Sequence, residues 1–226
     1  MRKIVISLGG STIVQEKINV DFILKFKEVI RKFKDDKFVI VVGGGKPCRM
    51  YMDSLGNAGK GFFLSTQIGV YYTYLNASLV EAFFSEDLNK KIFIPRNYEE
   101  FDKQFKENKM VFTGGIIPGS TTDGTAVEIA ERIKADFFVN LTDVEGLYDK
   151  DPKTAKDAKF ISKISHKEFN EKFISKIEHK FGQHFILDIK AANIAKEHNI
   201  KVIILKGLNN LEKCLNNQKF IGTIIG

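Results

Sequence analysis

Short runs in which successive residues are all apolar set the tightest limit on what this chain can fold into. "KIVISL" (3–8), "KFVIVV" (37–42), "KIFIP" (91–95), "KMVFT" (109–113), "ADFFVNL" (135–141), "KVIILK" (201–206) and "GTIIG" (222–226) mostly lack the in–out alternation of a strand with one wet face. Such runs read as strands covered on both sides. Between them lie segments of helical period. In "VDFILKFKEVIRKF" (20–33), Phe22, Leu24 or Phe26, Val29, Ile30 and Phe33 form one apolar stripe with lysines opposite. The segments 66–84, 125–135 and 186–198 repeat the idea, and the last two lead directly into strands. Strands alternating with helices predict an α/β sandwich around a mainly parallel sheet, with ligands at the carboxyl ends of the strands. The polar segment 142–165 reads as a hairpin or extended excursion, not a second unit, and a chain of 226 residues suits one domain over 1–226.

Three of these strand ends carry glycine clusters: "LGGST" (8–12), "VVGGGKPCR" (41–49) and "FTGGIIPGSTTDGT" (112–125). Glycine lets backbone N–H groups turn toward an anion with no Cβ in the way, and a following helix N-terminus adds partial positive charge. One such loop would be an ordinary turn, whereas three on one sheet edge make a surface lined with anion-binding amides. The familiar nucleotide motifs are absent. A Walker A loop fails because Lys46 is followed by Pro47, and a GxGxxG fingerprint fails because Cys48 stands where the third glycine belongs. In the third loop Ser120, Thr121 and Thr122 precede Asp123. Capping, with Asp123 as N-cap or Thr125 and Glu128 as a capping box, accounts for one or two of these residues but not for three consecutive hydroxyls.

The net charge of +7 raises the question of a polyanionic partner, but its 35 Lys and Arg are dispersed among 28 Asp and Glu with no dense basic block. Nucleic-acid binding is therefore not expected. Two distant cysteines, Cys48 and Cys214, give neither a disulfide framework nor a zinc site, as suits a reducing cytoplasm. No stretch reaches the roughly 18 apolar residues needed to cross a membrane. All four histidines lie in the C-terminal third and read as surface or helix-flank residues.

Taken in order, "VISLGGS" (5–11), "VVGGGKPCR" (41–49), "IGVYYTYLNA" (68–77), "TGGIIPGSTTDGTAVEIAE" (113–131), "LTDVEGLYDKDPK" (141–153), "ILDIKAANIAKEHNIKVIIL" (186–205) and "GTII" (222–225) resemble the amino acid kinase family, and within it the archaeal type of UMP kinase. The resemblance implies a three-layer α/β/α sandwich with a mainly parallel central sheet. It also implies transfer of the ATP γ-phosphoryl to UMP, giving UDP and ADP, with Mg²⁺. Relatives of this type are commonly hexamers, so a homo-oligomer is expected, with small-molecule nucleotides as its ligands and a cytoplasmic location. By the same resemblance, Gly9 and Gly10 match the loop at the ATP phosphates, and Gly44 and Gly45 the loop between donor and acceptor phosphates. Arg49 matches a phosphate-gripping arginine. Asp123 matches the aspartate that organises transfer, Thr142, Tyr148 and Asp151 match adenine-nucleotide contacts, and Asp188 matches an aspartate ahead of the last helix. Gly115, Ile116, Ile117, Pro118, Gly119, Ser120, Thr121 and Thr122 match the acceptor loop, and no residue is assigned to a metal.

Three positions depart from the family pattern. Ser7 stands where bacterial relatives carry a lysine, which makes Lys46, ahead of Lys150 or the metal, the candidate for the missing catalytic charge. Thr66 replaces an aspartate that holds the acceptor's ribose, and Tyr74 replaces an arginine. A different small phosphorylated or carboxylated acceptor, or a nucleotide-binding regulator without turnover, is the alternative that these departures leave open.

Overall fold

Alternate residues of the central strands go to opposite faces, and both sets are apolar, which is why the sequence shows no period of two. In the computed structural model, which describes residues 1–88, 93–150, 152, 154–175 and 187–226, β1 (Lys3–Leu8), β2 (Lys37–Val42), β3 (Met110–Thr113), β4 (Phe137–Thr142), β8 (Val202–Lys206), β9 (Gly222–Ile225) and β7 (Lys163–Ile164) form a seven-stranded sheet. Its order is β3-β2-β1-β4-β8-β9-β7. The first five strands in that order are parallel, β9 runs antiparallel to β8, and β7 pairs parallel to β9. This is the mainly parallel sheet expected. The short strands β5 (Leu147–Tyr148) and β6 (Phe160–Ile161) pair antiparallel apart from it, so the 142–165 excursion is a hairpin whose end returns to the main sheet as β7.

Val5, Val39, Val111, Phe138 and Val202 face one layer, which holds α5 (Tyr98–Glu107), α6 (Thr122–Ile133) and α8 (Ile189–Glu197). Ile4, Ile6, Ile40, Val139 and Ile203 face the other, which holds α2 (Val20–Arg31), α4 (Phe62–Leu88) and α9 (Leu208–Leu215). Two such cores separated by one sheet make the three layers, each fully buried Ile, Leu or Phe stabilising by about 2 kcal/mol.

Several local readings change. In α2 the buried stripe is Ile23, Phe26, Val29 and Ile30, while Leu24 is exposed. The helix expected over 66–84 extends over Phe62–Leu88, and the one expected over 125–135 starts at Thr122 with Thr121, not Asp123, as its N-cap. Of the run 91–95, residues 93–95 are not strand and the first two lie outside the described residues, as does Ile186 of the last helical segment. His166 is at a helix flank, at the start of α7 (His166–Phe169), but buried and not at the surface, and its desolvated imidazole titrates below the ordinary value. His198 is at a helix flank as expected, whereas His179 and His184 lie outside the described residues. Among the described residues no helix is long and apolar enough to cross a membrane.

Candidate active site

The parallel order places the glycine loops after β1, β2 and β3 on one sheet edge. After β1 the chain turns into α1 (Gly10–Ile13), and after β2 into α3 (Gly45–Asn57). The two loops touch backbone to backbone: a Cβ built on Gly10 would stand 2.1 Å from Gly45 N and 2.6 Å from Gly44 C. Gly45 has φ +74, a conformation that glycine adopts at no steric cost. Pro47 sits in the first turn of α3, where its missing N–H costs no helical hydrogen bond.

The second loop is held from α4. Asn76 Nδ2 donates to the carbonyls of Gly43 at 2.8 Å and Gly44 at 3.2 Å, fixing two peptide planes at once. One turn earlier, Thr73 Oγ1 donates to Val70 O at 2.7 Å and accepts from Gly115 N at 2.9 Å, which ties the third loop to the same helix. A Cβ on Gly114 would lie 2.4 Å from that hydroxyl. Neither Asn76 nor Thr73 was assigned a role from the sequence. Their signal was there, as two polar residues at helical spacing on the stripe that also buries Ala77 and Val80.

Between α3, α4 and the third loop opens a pocket of about 370 Å³. Gly44, Gly45, Arg49, Thr66, Gly115, Gly119, Ser120, Thr121 and Thr122 all line it, so most of the residues expected on the acceptor side come together. Ser120 Oγ is buried there without a hydrogen-bond partner. Thr66 donates its hydroxyl proton to the carbonyls of Phe62 and Phe63, at 3.1 and 3.0 Å, so toward the pocket it can offer only acceptor lone pairs. Arg49 is exposed at the pocket wall with no ion pair to any described residue. Ile116 packs into the core below, while Ile117 and Pro118 are not in the lining. Lys46 is exposed in the first turn of α3, also outside the lining, and Lys150 pairs with Asp157 at 2.5 Å. Tyr74 turns away and donates to Arg96 O at 3.2 Å. Burial pushes the Cys48 thiol on this wall up to about 11, so it stays protonated near neutrality.

On the other side of the touching loops, Gly9 N donates to Leu141 O at 3.1 Å, which sets the first loop against Thr142 at the end of β4. Tyr148, on β5, packs edge-on against Phe160 with ring centroids 5.2 Å apart and donates its hydroxyl to Glu145 at 3.0 Å. Thr223 on β9, a fully buried residue not singled out in the sequence, anchors this hairpin. Its Oγ1 accepts from Leu147 N at 2.8 Å and donates to Ile161 O at 2.5 Å. Asp151 lies outside the described residues.

Asp123 stands in the first turn of α6, next to Thr122 but outside the pocket lining. Ser7 Oγ donates to its Oδ1 at 2.6 Å and Asn140 Nδ2 to its Oδ2 at 3.4 Å. Burial pushes this carboxyl up to about 6, with the Asp188 carboxylate adding to the rise and the Ser7 and Asn140 donors opposing it. Asp188 caps α8 by accepting from Ala191 N at 2.8 Å and also accepts from Thr121, the N-cap of α6, so one carboxylate joins two helix starts.

The model of the amino acid kinase family matches residues 2–206. The chain is 36% identical to the uridylate kinase of Methanocaldococcus jannaschii over 99% of both chains. It is 34% identical to the uridylate kinase of Thermoplasma volcanium over 98% of this chain and 96% of that one. The crystal structure of uridylate kinase from Archaeoglobus fulgidus superposes with a TM-score of 0.87 at 32% identity, covering 100% of both chains.

Proposed function

Because the chain belongs to the amino acid kinase family, we propose that it is a UMP kinase, acting as one domain over 1–226 and moving the ATP γ-phosphoryl to UMP to give UDP and ADP. One observation carries this reading. Two glycine loops in backbone contact border a pocket lined by Arg49 and Thr66, and Ser7, two residues ahead of the first of those loops, bonds to Asp123. Phosphoryl transfer asks a protein chiefly to hold donor and acceptor in line and to meet the charge that develops. The amides of the first two loops and the N-terminus of α3 would face the phosphates, and Arg49 would grip the phosphate of UMP. Thr66, an acceptor only, suits a ribose hydroxyl as donor. Gly9, Gly10, Thr142 and Tyr148 would receive ATP. Lys46 remains the loop cation nearest in sequence to the contact, and would turn toward the phosphates when they bind.

Among the described residues no three His, Cys, Asp or Glu side chains cluster to hold a metal ion. Asp123 and Asp188 are each committed to protein donors. Mg²⁺ would therefore enter as part of the ATP complex, bound by phosphate oxygens. Cytoplasmic location agrees with two buried free cysteines. A homo-oligomer, hexameric by resemblance, agrees with the exposed Phe63, Leu64, Tyr71 and Leu75 on the outer side of α4.

The decisive assay incubates the protein with ATP, Mg²⁺ and each nucleoside monophosphate and follows ADP release. UMP should be the preferred acceptor, and Arg49→Ala should raise the KM for UMP at least about tenfold while changing that for ATP by less than about threefold. Absence of UMP-dependent ADP would overturn the function, and equal effects on both KM values would remove Arg49 from the acceptor side.

A further inference from the structure

In register on adjacent strands, Ser7 of β1 stands beside Asn140 of β4. Both point to the face that buries Val5 and Phe138, and they are only 1% and 5% exposed. A hydroxyl and a carboxamide placed there cost free energy unless they are hydrogen-bonded. Their shared partner is Asp123: one donor comes from each strand, and each addresses a different carboxylate oxygen.

We propose that Ser7 and Asn140 are positioning residues for phosphoryl transfer, a two-strand clamp of neutral donors that fixes both oxygens of the Asp123 carboxylate. This rests on the reading that Asp123 lies at the transfer point. Four elements bring groups to Asp123. Within α6 it lies in the first turn, where the helix dipole favours negative charge. The start of α8 brings Asp188, of like sign; β1 brings the Ser7 hydroxyl and β4 the Asn140 carboxamide. No cationic side chain pairs with Asp123 among the described residues. Neutral donors are thus what opposes burial and Asp188, and they leave the carboxyl titrating at about 6, just low enough to be ionised at neutral pH. Ser7 is then a working part of the site.

A hydrogen bond to a charged group is strong enough that losing one should raise the Asp123 pKa by roughly one unit. Ser7→Ala should move the acidic limb of the kcat–pH profile up by about that much, and kcat at pH 6.5 should fall roughly threefold. KM for both nucleotides should stay within about twofold, and Ser7→Thr, which keeps a hydroxyl, should recover most of the loss. Asn140→Leu should act in the same direction with a smaller shift, its donor distance being longer. A second readout needs no turnover. An acid whose pKa is raised in the folded state weakens the fold as pH rises through that pKa. The Tm of the protein minus that of Asp123→Asn should therefore fall until about pH 6 and then level off, and with Ser7→Ala in both members the fall should continue about one unit further. An unshifted limb, or an unshifted Tm difference, overturns the clamp. If the protein shows no UMP-dependent turnover, the functional reading fails, yet the Tm difference still decides whether Ser7 controls the ionisation of Asp123.

Discussion

Asp123→Asn is expected to lower kcat about 10²- to 10³-fold with little change in either KM and no loss of Tm. The amide has the shape of the carboxylate and keeps an oxygen for the Ser7 hydroxyl, and its NH2 is met by the Asn140 carboxamide once that group turns its oxygen inward, so the substitution removes chiefly the charge. If the charge orients the groups that meet the transferring phosphoryl, its contribution is realised in the transition state, and kcat and kcat/KM fall together. The fold, in contrast, carries a carboxylate beside Asp188 with only neutral donors in support, and loses nothing when that charge goes. Steady-state kinetics and a thermal melt at pH 7.5 check both halves. A kcat within about threefold of the parent would take Asp123 out of the mechanism, and a Tm lower by more than a few degrees would mean that the carboxylate serves the fold.

Gly10→Ala is expected to act on both properties. Its added methyl would meet Gly45 N at 2.1 Å, Gly44 C at 2.6 Å and Gly43 C at 2.7 Å, all backbone atoms that no rotamer change can move away. The first and second loops must part, at a cost of about 2–3 kcal/mol, or a fall in Tm of roughly 5–10 °C for a chain of this size. Displacing the loops by even an ångström should reduce kcat by about 10²-fold or more. Gly56→Ala is the matched control. It lies inside α3 with nothing within 4 Å of the added methyl, so Tm should hold or rise. If Gly10→Ala retains both Tm and kcat, the two loops are not packed as described.

The glycine loops and the doubly covered strands were legible because each depends on residue type alone: Val39 and Ile40 are both apolar whichever face each takes. What escaped was any reading that depends on which way a side chain points. Ser7 and Asn140 look in the sequence like interruptions of two strands, and only the β1–β4 register shows that they meet the same carboxylate. Tyr74 and Thr66 share a helix that is apolar nearly all round, so its period does not say which of them faces the pocket; Thr66 does, and Tyr74 bonds to Arg96 O outside it. Asp123 and Thr125 were the caps the sequence offered for α6; Thr121 takes the place, accepting from Gly124 N while its hydroxyl reaches Asp188, a partner 67 residues away. His166 is at a helix flank, one of the two places expected, but buried, since His166 and Phe169 turn inward while Lys167 and Glu168 of the same turn stay exposed.

The hydroxyl of Thr223 gives the two halves of the site separate supports. The second and third loops are held from α4 by Asn76 and Thr73, whereas the hairpin carrying Tyr148 pairs within itself, Leu147 with Ile161, and is fastened to the sheet by Thr223, 76 positions downstream of Leu147. Removing that one hydroxyl would loosen the aromatic arm and leave the phosphate loops in place. If Tyr148 meets the adenine ring as proposed, the choice of base and the grip on phosphate can then vary independently of each other.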